Sequence, residues 1–228
     1  YGLSISVNSI SDVDYVYVVG RSASTNFPTT NDAYQTSRAG SYDAFLSRFS
    51  TDLITLYSST YLGGSSSDYG EELFVSSSNV YITGRTTSNN FPTTNNAYQT
   101  SEASSSYDAF VSRLSFDLTT LHSSTYLGGT STEYCYGLTV DSNQNVYIVG
   151  KTNSENFPIS ENAFRSSNSG SGYDGFISKL NSNLSTLLAS TFLGGSSNDE
   201  IQEVVLSYDE SGIYVTGETY DSSTDMFD

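Results

Sequence analysis

Short apolar stretches alternate with polar turns along the whole of this chain. The apolar stretches are rich in Val, Ile, Tyr and Phe, and such residues at a period of two predict β-strands. Nowhere does the sequence sustain the period of about 3.6 residues that predicts an amphipathic helix. The pattern therefore predicts an all-β protein without long helices.

Four strands are predicted in each copy of the pattern, and the first copy illustrates them. Residues 3–7 alternate between apolar and polar types and predict the first strand. Residues 15–19 form a nearly unbroken apolar run, which predicts a second strand covered on both faces. The third strand is predicted at 44–48 and the fourth at 56–62.

A polar loop about twenty residues long separates the second strand from the third, which is long for a compact domain. We expect its repeated aromatic residues to pack the loop back onto the strands, through a short helical turn. These aromatics are Phe27 and Tyr34, Phe91 and Tyr98, and Phe157 and Phe164.

Three motifs recur at spacings of 64 to 66 residues, which indicates a repeat architecture. They are Tyr/Phe-Leu-Gly-Gly at 61–64, 126–129 and 192–195, Asn-Phe-Pro at 26–28, 90–92 and 156–158, and Tyr-Asp-Ala/Gly-Phe at 42–45, 107–110 and 173–176. We expect a single repeat domain over 1–228, with units at 1–64, 65–129 and 130–195 and a partial unit at 196–228.

These motifs resemble the SBBP-type β-propeller repeat family of bacterial and archaeal secreted and surface proteins. The family pattern runs approximately Tyr-Leu-Gly-Gly, Asn-Val-Tyr-Val-Thr-Gly, Asp-Phe-Pro-Thr, Ala-Tyr-Gln and Asp-Ala-Phe-Val. Near matches to every element occur across essentially the whole chain. The resemblance implies four-stranded β-propeller blades, an architectural role and no catalytic residues to transfer.

Three and a half blades of about 65 residues do not close a ring, and open sheet edges invite association. The sequence opens at Tyr1, in the manner of a processed or truncated chain, and it ends at 226–228, where the fourth copy would begin its long loop. We therefore expect the chain to be part of a larger propeller or to be completed by a neighbouring subunit.

The chain carries 25 acidic and 8 basic residues, a formal net charge of −17. Nucleic acid and anionic membrane surfaces both attract Lys and Arg, so neither is an expected partner. No apolar run reaches the roughly 18 residues of a membrane span. The composition, rich in Ser, Thr, Asn, Gly and Tyr and poor in Lys, is typical of secreted proteins, so we expect an extracellular or cell-surface location.

Nucleophilic and metal chemistry have few candidate residues in this sequence. His122 is the only histidine, and the equivalent repeat positions hold Tyr57 and Leu188, which indicates packing on a strand face rather than catalysis. Cys135 is the only cysteine and stands where the second unit has Gly70, in the turn before a first strand. We interpret it as a spare buried thiol, with an intermolecular disulfide as the alternative. One Cys and one His do not make a closed zinc site.

Charged residues and glycines that keep register with the repeat are expected to be structural. They are Asp43, Asp108 and Asp174, then Arg48, Arg113 and Lys179, then Arg21, Arg85 and Lys151, and finally Gly64, Gly129 and Gly195. We expect the repeated Asp to cap the turn before the third strand or to pair with a repeated cation. The fourth copy has Glu218 where Arg21 stands in the first, so pairing at that cationic position is not obligatory.

A weak calcium candidate lies in the third unit, where Asp141, Asn143 and Asn145 place oxygens at the first, third and fifth positions of a loop. The Gly and Glu that complete such a loop are missing, and Asp and Asn are common turn residues. The sequence indicates no other cofactor. An acidic patch is interpreted as a solvated face, with a cation site or a basic partner as alternatives, and it contains Asp199, Glu200, Glu203, Asp209 and Glu210.

The expected function is that of a non-enzymatic extracellular structural protein, a building block of a cell-surface layer, stalk or filament. Its partners would be neighbouring copies of the chain or the rest of a longer chain. The alternative is a propeller module that binds a glycan or a protein ligand in adhesion. Glycosidase-type catalysis needs a pair of carboxylates, and the sequence singles out no such pair.

Overall fold

The computed structural model describes residues 2–10, 12–168 and 172–220, and these ranges contain strands, turns and bends but no helix. Accordingly, no helix in the described ranges has the length and apolar character of a membrane span. The first sheet contains β1 (Gly2–Ile10), β2 (Val13–Ser22), β3 (Asp43–Ser50) and β4 (Leu56–Leu62), and the second contains β5 (Asp68–Val75), β6 (Asn79–Thr86), β7 (Asp108–Ser115) and β8 (Leu121–Leu127). The third sheet contains β9 (Glu133–Val140), β10 (Val146–Thr152), β11 (Asp174–Leu180) and β12 (Leu187–Leu193). The fourth contains β13 (Asp199–Leu206) and β14 (Ile213–Thr219).

The strands of each sheet pair in chain order, so every sheet is an antiparallel meander. The predicted all-β blade architecture is confirmed: three sheets have four strands, the last has two, and the described part of the chain forms no closed barrel. The predicted second strand at 15–19 is longer at both ends because its flanking residues also pair with β1 and β3. Tyr1 and 226–228, on which the expectation about the chain ends rests, lie outside the described residues.

The hydrophobic core lies between neighbouring sheets. Leu73 and Val75 of β5 belong to one buried cluster with Tyr17 and Val19 of β2. A Cβ added to Gly70 of β5 would come within 2.6 Å of Val19 Cγ2, so this position must stay small. From the second sheet onwards, the first strand of a sheet therefore packs on the face of the preceding sheet, as in the blades of a propeller.

The turns between third and fourth strands dock on the preceding sheet. Leu53, Leu118 and Leu184 occupy these turns with φ values of 59°, 61° and 57°, a backbone region that Leu seldom adopts. The carbonyls of Leu118 and Leu184 accept the N–H groups of Tyr34 and Tyr98 in the preceding blade's long loop. Both leucines are fully buried there, whereas Leu53 has no preceding sheet in the described structure and is 64% exposed.

The long loops pack on their own blades through their first aromatic residue. Ring centroids lie 4.4, 4.3 and 4.6 Å apart in the pairs Phe27–Phe45, Phe91–Phe110 and Phe157–Phe176. The second aromatic lies at the surface, most clearly Phe164 at 72% exposed. The expected short helical turn is a single turn without a helix in the described loop residues: the N–H groups of Ala33, Ala97 and Ala163 each donate to the carbonyl three residues earlier.

Candidate functional site

Each junction between neighbouring sheets holds two buried carboxylates. One belongs to the repeated Asp that begins the third strand of a sheet, and the other to an acid that begins the first strand of the next sheet. All six residues are at most 5% exposed, and we call these three sets the junction pairs: Asp43–Asp68, Asp108–Glu133 and Asp174–Asp199. The junction pairs are the main concentration of buried charge in the described chain, so the site is built from them.

Sequence reasoning misses the second acid of the first two junction pairs, Asp68 and Glu133, and assigns that of the third, Asp199, to a solvated patch. The second acid follows the second glycine of the Gly-Gly motif by four residues in every copy, and the glycine N–H donates to it. The signal was this constant spacing, masked by the change from Asp to Glu in the third unit. The bonds are Gly64 to Asp68 at 2.8 Å, Gly129 to Glu133 at 3.2 Å and Gly195 to Asp199 at 2.7 Å.

The first glycine of each Gly-Gly motif lies between the two carboxylates. A Cβ on Gly63 would lie 2.7 Å from both Asp43 Cγ and Asp68 Oδ2. A Cβ on Gly128 would lie 2.8 Å from Asp108 Cγ and 2.7 Å from Glu133 Oε2. Any side chain at these positions must displace a carboxylate, which explains why glycine is needed there.

Asp43 caps the turn that precedes β3. Its Oδ2 accepts the N–H of Ala39 at 2.9 Å and the side-chain amide of Gln35 at 2.8 Å, and its Oδ1 accepts the N–H of Gly40 at 2.9 Å. In the described ranges no ion pair joins Asp43 or Asp108 to a Lys or Arg. The geometry therefore supports capping over pairing with a repeated cation.

Hydroxyl groups hold the second acid of the first two junction pairs. Burial raises the pKa of Asp68 to about 6 and also raises the pKa of Glu133, although the hydrogen bonds to both carboxylates oppose that shift. The donors are Thr86 and Ser88 to Asp68, and Thr152 and Ser154 to Glu133.

Asp108 differs from its counterpart Asp43. Its Oδ2 accepts the N–H of Ala103 at 2.7 Å, but its Oδ1 is fully buried and has no hydrogen-bond donor. Burial raises the pKa of Asp108 to about 7, and the negative charges of Glu133 and Glu102 add to the shift. The second junction therefore contains a carboxylate oxygen that the protein itself leaves unsatisfied.

Two of the repeated cations, Arg48 and Arg113, bridge neighbouring sheets. Arg48 Nη1 donates to the carbonyl of Phe116 at 3.3 Å, and Arg113 Nη1 donates to the carbonyl of Ser182 at 2.9 Å. Both acceptors lie in the turn between the third and fourth strands of the next sheet. Each of these two arginines therefore forms a hydrogen bond between one blade and the next.

A row of half-buried tyrosines crosses the three complete sheets, and we call it the tyrosine row. Successive ring centroids lie 5.7 to 5.9 Å apart along Tyr42, Tyr69, Tyr107, Tyr134 and Tyr173. Arg21, Arg85 and Lys151 lie over these rings at 4.5 to 5.9 Å. Arg85 also pairs with Glu71 at 2.9 Å and Lys151 with Glu200 at 2.5 Å. These cations therefore lie on ring faces of the tyrosine row in cation–π contacts.

The predicted calcium loop is the hairpin turn between β9 and β10. The carboxylate of Asp141 accepts the backbone N–H of Asn145 at 2.8 Å and its side-chain amide at 2.9 Å. Lys179 Nζ lies 3.3 Å from the same carboxylate, and Asn143 is exposed. Donors and a cation surround Asp141, which is the arrangement of a turn cap.

The acidic patch of the last unit does not form one solvated face. Asp199 is buried in a junction pair, Glu200 pairs with Lys151, and Glu210 accepts from Ser142. The linear sequence could not show this, because the three residues meet different neighbours in space. Three members are exposed: Glu203, Asp209 and Glu210.

The lone histidine and cysteine lie away from the junction pairs' carboxylates. His122 is exposed on β8, like its repeat counterparts Tyr57 and Leu188. Cys135 lies inside β9, so its predicted place in a turn is wrong, because β9 already begins two residues before it. The thiol is fully buried 2.9 Å from Thr83 Oγ1, and burial raises its pKa to about 12. Such a thiol does not reach another molecule, which disfavours the intermolecular disulfide.

All three junction pairs are buried, and Asp199 of the third pair also lines a cavity of about 160 Å³ together with Gly194 and residues of β13 and β14. Among the described residues, no three acidic, His or Cys side chains lie together in a ready-made metal site. The chemistry left to the pairs is to hold charge, protons or a small ion between blades.

Comparison with known families supports this architecture. The SBBP family, described as a beta-propeller repeat, matches residues 59–92 and 124–158, and no curated protein matches the chain. Each match starts in the fourth strand of one sheet and ends in the long loop of the next, so it contains the Gly-Gly motif and the second junction acid. The predicted resemblance is confirmed at these two places: the chain carries SBBP beta-propeller repeats.

Proposed function

We propose that this chain is a non-enzymatic extracellular structural protein, a building block of a cell-surface layer, stalk or filament. The observation that carries the proposal is the apolar outer face of the first sheet. Ile5 and Val7 are 67% and 62% exposed, whereas Leu73 and Val75, at the same places in the second sheet, are 5% and 4% exposed. In the second sheet the preceding blade covers this surface, whereas in the first sheet the same surface is exposed.

An apolar sheet face of this kind favours association. Burial of apolar surface contributes roughly 25 cal/mol per Å², and grouped apolar residues on a surface mark interaction sites. A blade from a neighbouring copy, or from further chain of the same protein, would repeat the contact that joins the sheets internally. A head-to-tail contact between copies makes rings or filaments.

The family and the composition support the same proposal. SBBP repeat proteins are generally non-catalytic and commonly extracellular. The net charge of −17 keeps the exposed surface hydrated. Burial of the carboxylate pairs also speaks against glycosidase-type chemistry, because a sugar must reach both groups.

The experiment replaces Ile5 and Val7 by Ser and measures molar mass by size-exclusion chromatography with light scattering, with electron microscopy of the same samples. The wild-type chain should form assemblies, and the double variant should shift to the monomer. Leu188→Ser is the matched control, because Leu188 is 47% exposed on β12 and its counterparts Tyr57 and His122 stay exposed in sheets that have a neighbouring blade. A wild-type chain that stays monomeric, or assemblies that survive the double substitution, would contradict the proposal.

A glycan- or protein-binding role in adhesion is the second candidate, and the tyrosine row is the observation behind it. Its tyrosines are half-buried, so part of each residue reaches solvent, and cations lie over the ring faces. Tyr107→Ala should then lower retention on a glycan array, and the exposed Tyr208→Ala should not. An array without binding to the wild-type chain rejects a glycan as the ligand.

A further inference from the structure

The three junctions differ in the positive charge that the long loop places beside the carboxylates. In the first blade Arg38 follows Gln35 by three residues and donates to the carbonyls of Gly40 and Ser41. These carbonyls belong to the turn that Asp43 caps. A cation is therefore built into the first junction.

The third junction obtains its cation in another way. Arg165 stands where the first two blades have Gln35 and Gln99. Its Nη1 donates to the carbonyl of Gly194 at 2.6 Å, and Gly194 is the glycine that lies between Asp174 and Asp199. A guanidinium group thus contacts the backbone at the centre of the third junction.

The second junction has an acid where the first has a cation. Glu102 follows Gln99 by three residues and so occupies the place of Arg38. It adds negative charge beside Asp108 and Glu133. Since no ion pair involves these three acids in the described ranges, the junction concentrates negative charge without a counter-charge from the protein.

One point in space is shared by both carboxylates of this junction. The position of a Cβ on Gly128 lies 2.9 Å from Asp108 Oδ1 and 2.7 Å from Glu133 Oε2. Asp108 Oδ1 is the fully buried oxygen that lacks a donor, and it lies on the same side of Gly128 as the Glu133 oxygen. A side chain at Gly128 would displace these oxygens, so glycine allows the two carboxylates to approach each other.

A positive partner at this point would stabilise the ionised form of both carboxylates. An unpaired buried charge is strongly unfavourable, and two carboxylates close together disfavour each other's ionisation. Carboxylate oxygens are hard ligands, which prefer hard cations such as Ca²⁺ over softer metals. The raised pKa of Asp108, about 7, agrees with a site that lacks its counter-ion.

We infer that the second junction binds a hard divalent cation, for which Ca²⁺ is the probe, through Asp108 Oδ1 and Glu133 Oε2. Glu102, in the partly buried loop, attracts the cation through its charge but is not one of the ligands of the site. Water and backbone oxygens must supply the remaining coordination, so the affinity belongs to the range of extracellular modules, with Kd ~10⁻⁴–10⁻³ M. This cation site belongs to one blade junction and is independent of whether the chain assembles.

The experiment measures Tm and the heat of binding while Ca²⁺ is titrated into chelator-treated protein at neutral pH. Ca²⁺ should raise the Tm of the wild-type chain by several degrees, because a ligand that binds only the folded state stabilises it. Asp108→Asn removes the buried charge without changing its shape and should abolish the Ca²⁺ response. Glu102→Arg supplies the cation of the first junction and should abolish the response while raising Tm without Ca²⁺.

The matched control is Asp43→Asn at the first junction, which should keep the full Ca²⁺ response. A Tm that does not depend on Ca²⁺, or one that depends only on pH, would show that the pair holds a proton, and it would overturn the inference. A response of equal size in Asp108→Asn would place the site elsewhere and would also overturn it. An equal rise in Tm with NaCl at the same ionic strength would overturn it too, since that result is general screening.

Discussion

The first and second blade junctions surround equivalent glycines with two carboxylates, but they balance the negative charge differently. Asp43 accepts three N–H donors, and Arg38 lies in the adjoining loop. Asp108 accepts one, and Glu102 stands in the place of Arg38. The strands that carry the two pairs have the same register. The difference teaches that the repeat places the charges, whereas the loops decide what neutralises them.

The largest effect is expected from a methyl group placed inside a junction pair. Gly128→Ala should lower the free energy of unfolding by about 3 kcal/mol, because its Cβ would meet two buried carboxylates held by their own hydrogen bonds. Gly63→Ala should lose a similar amount, since the first junction shares this geometry. Urea denaturation followed by circular dichroism measures both.

Gly212→Ala is the control, because the nearest atom to its added Cβ would be 4.0 Å away. Its stability should stay within about 0.5 kcal/mol of the wild-type value. Equal losses at Gly212 and Gly128 would show that the carboxylates are not the cause.

Replacing the repeated Asp by Asn should change the free energy of unfolding differently at the first and second junctions. Asp43→Asn should lower the free energy of unfolding by about 2 kcal/mol, because one of its three donors would face an amide N–H₂ group. Asp108→Asn should leave stability unchanged or higher without added cation, because it removes an unsatisfied buried charge. Chemical denaturation of both variants in chelator at neutral pH measures these changes. A loss of stability in both would mean that the protein neutralises the two carboxylates in the same way.

Stability should fall as pH rises from about 4 to 7 in chelator-treated buffer. The pKa values of Asp68 and Asp108 are about 6 and about 7 in the folded chain, above their usual value of 3.8. The folded state therefore binds more protons than the unfolded state across this window, so raising the pH favours unfolding. Tm measured against pH tests this, and Asp108→Asn should flatten the part of the curve nearest to pH 7. A Tm that rises with pH over the same window contradicts the assignment.

The smallest effect is expected from removing the cation of the first junction. Arg38→Gln should lower the free energy of unfolding by about 0.5–1 kcal/mol, because Arg38 bonds to two carbonyls at a partly exposed position. It should also give the first junction a weak Ca²⁺ response that the wild-type junction lacks. Differential scanning fluorimetry with and without Ca²⁺ measures both changes, and an unaltered Ca²⁺ response would weaken the comparison between loops.

Much of the fold could be predicted because the repeat places the same pattern at every blade. The alternation at 3–7 and the apolar run at 15–19 depend on local residue types, and both segments are strands. The short helical turn predicted in the long loops is only a single hydrogen-bonded turn, because other loop residues bond to neighbouring elements that local propensity does not see. The predicted turn at Cys135 is wrong for the same reason: the extent of β9 depends on pairing with β10.

Only half of the candidate site could be predicted. Asp43, Asp108 and Asp174 are expected to be structural because they keep register, and they do begin the third strands. Their partners escape sequence reasoning because the two acids of a pair come from different units, and closeness across a junction leaves no local pattern. Likewise, no pattern in the sequence shows that Asp108 Oδ1 lacks a donor.

The sequence by itself determined the repeat, the strand content, the acidic charge and the places of glycine and Asp within each unit. These properties are local or periodic, so they can be counted along the chain. Only the tertiary structure decided that two acids meet around one glycine, that Ile5 is exposed while Leu73 is buried, and that Asp108 keeps an oxygen without a donor. The physical reason is that burial and hydrogen-bond satisfaction depend on the neighbouring blade, whose position no single unit specifies.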